Sequence, residues 1–211
     1  MNAAARTSLL IFPYNGNGVE ALDCIDDTFE FIGFIDDTDA KQGTDPHGYR
    51  VMPREMLHQF PGASVLAVPG SPASYRARKN VIASLGLDEG RFATVIHPHA
   101  SVSRRARVGR NVLIMAGVVI TANARIDDHV CVLPNTVVHH DSVIGAWSMI
   151  GANVTIAGNV AIGQNCYIGS GSSVMNGVKI GNEALVGLGS NVIRHIVAGR
   201  TVAGNPARDL K

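Results

Sequence analysis

Aromatic residues make up only 5% of the chain, with a single tryptophan among them, and charged residues only 17%. Helical bundles need charged outer faces and large apolar knobs, so these scarcities argue against one. Net charge is +1, from 18 basic and 17 acidic residues, which leaves no bulk field for nucleic acid or an anionic lipid surface. The three cysteines, Cys24, Cys131 and Cys166, are odd in number and lack metal-ligand spacing. They read as small core or interface residues in a reducing compartment. No apolar run is long enough for a signal peptide or a bilayer span, so the sequence predicts a soluble cytoplasmic protein. Glycine, by contrast, is plentiful at 23 of 211 residues, which suits turns and close packing.

The second half of the chain is periodic. From Ile96, every sixth residue through Val102, Val108, Ile114, Ile120 and onward to Val192 is Ile or Val, seventeen positions without a slip. Small or β-branched residues lie two positions earlier (Ala106, Val112, Val118, Ala124, Val130, Thr136, Ser142), and glycine often follows, as at Gly109, Gly145, Gly151 and Gly163. Residues two apart on a strand point the same way, so each unit predicts one short strand with two inward side chains. The following glycine is read as relieving the Cβ penalty at a corner. Three such units close a triangular coil of 18 residues, and stacked coils make a parallel β-solenoid.

These repeats resemble the hexapeptide-repeat acyltransferases, and the resemblance covers residues 95–211, including the ending "VAGNPARDLK". It implies a left-handed parallel β-helix; the hand comes from the resemblance alone, because right-handed crossovers are the physical default. Members of that family are typically homotrimers. Stacking residues 18 apart places Leu113, Cys131, Met149, Tyr167 and Leu185 in one outward apolar column. Such a stripe is a candidate subunit interface, unless the N-terminal domain covers it.

One segment breaks the texture: "PNTVVHHDSVIG", residues 134–145. His140 lies two residues beyond the inward Val138 and so projects from a corner, and 18 residues on is Gly158. Asp141 can fix the imidazole tautomer, and a backbone N–H without a side chain above it can act as an oxyanion donor. The pattern "VVHHDSVIG" is similar to that of nucleotide-sugar N-acetyltransferases and sialic acid O-acetyltransferase-like relatives. That similarity implies His140 as base, Asp141 as its partner, and Gly158 facing the thioester carbonyl of acetyl-CoA. Asn159 and Met149 would lie beside the coenzyme, Met149 standing where relatives commonly carry a second histidine. His139, where the family often has glutamate, would support the sugar substrate. The eight histidines include no pair stacked on one edge, so no metal is expected.

Residues 1–94 read as a small Rossmann-like parallel sheet with flanking helices, α/β in class. Strands are expected at "TSLLIF", "FEFIGFI" and "ASVLAV", a helix over 73–86, and a last strand in "RFATVIHP". The loop Gly16-Asn17-Gly18, with Asp36 and Asp37 some 18 residues later, approximates a dinucleotide fingerprint. Only half a dinucleotide-binding unit is present, which disfavours a dehydrogenase. By resemblance, the loop would hold the diphosphate of a nucleotide sugar and the two acids its base or ribose. Asn17 replaces the histidine usual between the glycines. The expected activity is acetyl transfer from acetyl-CoA to an amino group of a nucleotide-linked 4-amino-deoxysugar. Alternatives are O-acetylation of a sialic acid or related sugar, or a non-catalytic sugar-nucleotide scaffold.

Overall fold

The computed structural model describes residues 6–210. Its N-terminal layer contains β1 (Thr7–Phe12), α1 (Gly16–Glu20), β2 (Phe29–Ile35), β3 (Gly43–Thr44), β4 (Arg50–Met52), β5 (Ser64–Ala67) and α2 (Arg78–Ala83). The sheet order is β3-β4-β2-β1-β5. All pairs are parallel except β3–β4, which is antiparallel. The all-parallel expectation is therefore corrected at one edge. The hairpin is set by Asp45, whose Oδ1 accepts from the backbone N–H groups of His47 and Tyr49, a side-chain turn before Gly48. The helix expected over 73–86 is shorter: a 3₁₀ turn at Tyr75–Ala77 leads into α2.

The rest of the chain is a three-sided parallel β-helix. Strands β6 to β22 are two residues each and recur every six residues from Val95–Ile96 to Asn191–Val192. Each ends on one of the periodic aliphatics. Every third strand stacks in one sheet, so the first face holds β6, β9, β12, β15, β18 and β21, the second starts with β7, and the third with β8. Pairing partners are 18 residues apart, as in Val137 with Val119 and Thr155. The chain closes on an antiparallel pair, β23 (Thr201–Gly204) and β24 (Ala207–Asp209), which extends the first face.

Ile and Val fill the interior with the small residues two positions before them. Polar residues at the latter positions are tolerated because their hydroxyls bridge coils. Thr136 Oγ1 donates to Gly151 O at 2.7 Å and accepts from Val154 N at 3.1 Å. Ser142, Ser148 and Ser172 repeat the rung. Each hydroxyl thus satisfies a buried amide that the strand ladder leaves over.

The glycine after the aliphatic has a different role from the one expected. Left-handed φ occurs two residues later, more often at asparagine than at any other residue, as in Asn123 (φ 61), Asn135 (φ 60) and Asn159 (φ 59). Asparagine tolerates that region better than most residues. At the glycine position the constraint is proximity: a Cβ on Gly145 would lie 2.6 Å from Gly163 C in the next coil.

The apolar outward column is also corrected. Leu113, Cys131, Met149 and Tyr167 are buried, packed with Leu9, Ile11, Leu66, Val68 and Tyr75 of the same chain. The first face is covered by the N-terminal layer, so this stripe is not a subunit interface. Asn111 joins the two layers: its side-chain amide pairs with both N–H and C=O of Ala67 on the edge strand β5, at 2.7 and 2.9 Å. Arg78, 1% exposed, donates to the carbonyls of Pro69, His129 and Trp147. The deep burial pushes its guanidinium pKa down to about 10.

Candidate active site

His139–Ser142 make the turn from β13 on the second face to β14 on the third. This edge lies away from the first face, which carries the N-terminal layer. Val138 is inward and fully buried, so the next two residues project outward and His140 stays half exposed. Asp141 takes the left-handed conformation of its turn (φ 59), which an aspartate accommodates. Its Oδ2 is 2.8 Å from His140 Nδ1, and its Oδ1 accepts from Asn123 Nδ2 at 3.0 Å. Those two hydrogen bonds, His140's first, hold the carboxyl below the usual carboxylate range. An ionised carboxylate only accepts, so Nδ1 carries the proton, and in the neutral imidazole Nε2 holds the lone pair.

The Cε1–Nε2 side of the ring lies against Gly158. A Cβ there would lie 2.7 Å from both Cε1 and Nε2 of His140. Coil register fixes this approach, since Asn159 N donates to His140 O at 3.0 Å and Gly177 N to Gly158 O at 3.0 Å. The N–H of Gly158 has no acceptor among the described residues. Equivalent corner amides on the other edges donate to side chains one coil on, as Ala152 N does to Ser170 Oγ and Gln164 N to Asn182 Oδ1; among the described residues a bare Cα beside an imidazole occurs along this edge only here. Gly158→Ala is therefore expected to keep the fold, because its φ lies outside the left-handed range, but to displace the imidazole. Turnover should drop by about 10²-fold, the scale of an ångström-level misplacement, with the melting temperature nearly unchanged. Steady-state rates and thermal unfolding of the variant check this.

The other expected site residues are placed as follows. Asn159 is exposed beside Gly158 on the same edge. His139 is exposed in the same turn, its N–H donating to Ile156 O. Met149 belongs elsewhere: it is 3% exposed on the first face, against Gly70 of the N-terminal layer, and does not line an open cleft. The outward position that sequence spacing assigned to it is outward from the coil but inward to the chain.

In the N-terminal layer, Asn15 caps α1 by accepting from Gly18 N at 2.8 Å. A Cβ on Gly18 would strike Pro13 O, so glycine is required by close approach. The amides of Gly16 and Asn17 have no acceptor among the described residues. Lys41 links the loop to the acidic pair, donating to Tyr14 O at 3.0 Å and to Asp36 Oδ2 at 2.9 Å. Asp36 is buried and Asp37 is ion-paired with Arg54. These partners hold both carboxyls low, Asp36 against the opposing effect of burial. Both acids therefore brace the loop and the strand end. Among the described residues no group of three or more His, Cys, Asp or Glu is placed to hold a metal ion, and no helix is long and apolar enough to cross a membrane.

Comparison with known proteins follows the same division. Residues 123–158 match the family described as bacterial transferase hexapeptide (six repeats), and residues 159–193 the hexapeptide repeat of succinyl-transferase. PerB from Caulobacter crescentus, solved with CoA and GDP-perosamine, is 27% identical, with TM-score 0.83 and 100% of both chains covered. The chain is an acyltransferase whose residues 123–193 carry hexapeptide repeats. Its solenoid is the left-handed parallel β-helix of that fold. The acyltransferase also resembles the acetyltransferase domain of PglB from Neisseria gonorrhoeae, solved with acetyl coenzyme A, at 26% identity and TM-score 0.84, over 98% of this chain and 100% of that one. WeeI from Acinetobacter baumannii shares the fold at 24% identity and TM-score 0.81, over 98% and 100%. No curated protein sequence matches the acyltransferase.

Two residues of the site escaped the sequence reading, Asn123 and Asn176. Each stands 18 residues from one that was singled out, Asn123 before Asp141 and Asn176 after Gly158. The same column arithmetic would have found both.

Proposed function

We propose that this acyltransferase moves the acetyl group of acetyl-CoA to an amino group of a nucleotide-linked amino sugar, with His140 as general base. The observation that carries this reading is the imidazole, oriented by Asp141, lying over the side-chain-free peptide of Gly158. The amine nitrogen attacks the thioester carbon as Nε2 removes its proton, and the Gly158 N–H stabilises the carbonyl oxygen. Support for the substrates comes from PerB, solved with CoA and GDP-perosamine. It was also solved in two forms with a histidine replaced, by alanine or by asparagine, both still holding CoA and the sugar nucleotide. The loop at Gly16–Gly18 is the proposed seat of the nucleotide diphosphate, and the exposed His139 and Asn159 flank the reacting groups.

The site requires more than one copy of the chain. The N-terminal layer covers the first face, while His140 is on the opposite edge. A sugar nucleotide held in one N-terminal layer therefore reaches the imidazole of a neighbour, and we propose a cytoplasmic homotrimer in which the second and third faces meet.

The test is a thiol-release assay of acetyl-CoA against UDP-, GDP- and dTDP-linked amino sugars, with the matching hydroxy sugars and a free sialic acid as separate arms. Release dependent on an amino-sugar nucleotide is the expected result. Release only with hydroxyl acceptors would overturn N-acetylation, and ligand binding without any release would overturn catalysis.

A further inference from the structure

The corner column that contains His140 and Gly158 continues to Asn176, one coil further on. The Nδ2 of Asn176 lies 3.3 Å from the point where a Gly158 Cβ would be, and His140 Nε2 lies 2.7 Å from the same point. Imidazole and carboxamide thus close on one bare Cα from successive coils. Backbone geometry does not explain this asparagine. In the two coils around His140 and Gly158 the left-handed position is filled by Asp141 and Asn159, but in the turn of Asn176 it is taken by Gly177 (φ 70). Nor does packing explain it: Asn176 is exposed and forms no hydrogen bond among the described residues. The side chain further lines a cavity with Met175, Gly177, Ile193, Arg194 and His195, so it stands between that cavity and the imidazole.

We propose that the Asn176 carboxamide is a second donor to the thioester carbonyl oxygen, completing with the Gly158 N–H a two-donor oxyanion site; this rests on the acyl-transfer reading above. The amine lone pair forms the new C–N bond, and the carbonyl π electrons move onto oxygen, where the N–H groups of Asn176 and Gly158 meet them. Nε2 of His140 takes the amine proton. When the intermediate collapses, C=O reforms, the C–S bond breaks, and the leaving thiolate takes that proton from the imidazolium. Amine and acetyl thioester go in; amide and thiol come out, with nothing oxidised or reduced. A donor aimed at developing charge acts on the transition state more than on bound substrate.

The experiment is the steady-state kinetics of Asn176→Ala, Asn176→Asp and Asn176→Ser with the acceptor that the wild type uses. The alanine and aspartate variants should lose about 10²-fold in kcat, the scale of one oxyanion donor, with KM for both substrates and the melting temperature nearly unchanged. Serine, which restores a short donor, should recover part of the loss. A kcat in the alanine variant within about threefold of wild type would overturn the role. So would a rise in KM at constant kcat, which marks uniform binding instead. A wild type that transfers no acetyl group removes the acyl-transfer reading and this assignment together. An active wild type with an unimpaired alanine variant removes only this assignment.

Discussion

Replacing His140 by alanine should reduce acetyl transfer by about 10²–10⁴-fold, the range for loss of a positioned general base. The imidazole is half exposed on a solenoid corner, and its one side-chain hydrogen bond is to its neighbour Asp141. Its removal opens no core cavity and breaks no bond between coils, because the register there is kept by backbone groups, Asn159 N to His140 O among them. Melting temperature and coenzyme binding should therefore match the wild type. Asparagine at the same position keeps a polar group and much of the volume but no basic nitrogen, so it should be as impaired as alanine. Rates of thiol release, with isothermal titration of CoA, separate the two quantities. An alanine variant within tenfold of wild type in kcat would show that the attacking amine is deprotonated by other means.

The second large effect concerns stability. Arg78 is buried, has no carboxylate partner among the described residues, and donates to three backbone carbonyls, one from the N-terminal layer and two from the solenoid. Arg78→Ala would leave those carbonyls without donors and open a cavity between the layers. Breaking buried charged hydrogen bonds of this kind costs on the order of 3–5 kcal/mol. For a chain of this size that lowers the melting temperature by about 10 °C. Lysine should recover little, since a single ammonium cannot reproduce the forked geometry of a guanidinium. Arg50→Ala, an exposed control on β4, should shift melting by no more than a degree or two. Differential scanning calorimetry of the three variants decides it. A loss below about 1 kcal/mol for alanine would mean that desolvation of the charge had offset the bonds it makes.

The sequence made the solenoid legible because a six-residue aliphatic period encodes strand, corner and coil together. All seventeen positions from Ile96 to Val192 end a strand. Stacking at 18 residues also predicted that His140 and Gly158 are neighbours. Alternation reveals which side of a strand a residue takes but not what lies beyond it, and so Met149 was assigned to a cleft and its column to a subunit contact. Its true cover, the N-terminal layer, is remote in sequence; the lock through Arg78 and Asn111 involves carbonyls and amides that no pattern of side chains displays. The bracing role of Asp36 and Asp37 was hidden for a similar reason, because their cationic partners Lys41 and Arg54 come from different elements. The glycines that often follow the aliphatic were read as relieving a corner, but their purpose is the thickness of the wall rather than its bend.

The spacing between His140 and Gly158 is set by main-chain rungs that repeat identically above and below them. A gauge of that kind is indifferent to which aliphatic fills the lumen. Conservative exchanges there can loosen the whole spiral without altering how far the base stands from the peptide it faces. Specificity can then change through the rims and the appended layer while the gap at which bonds are made and broken stays constant.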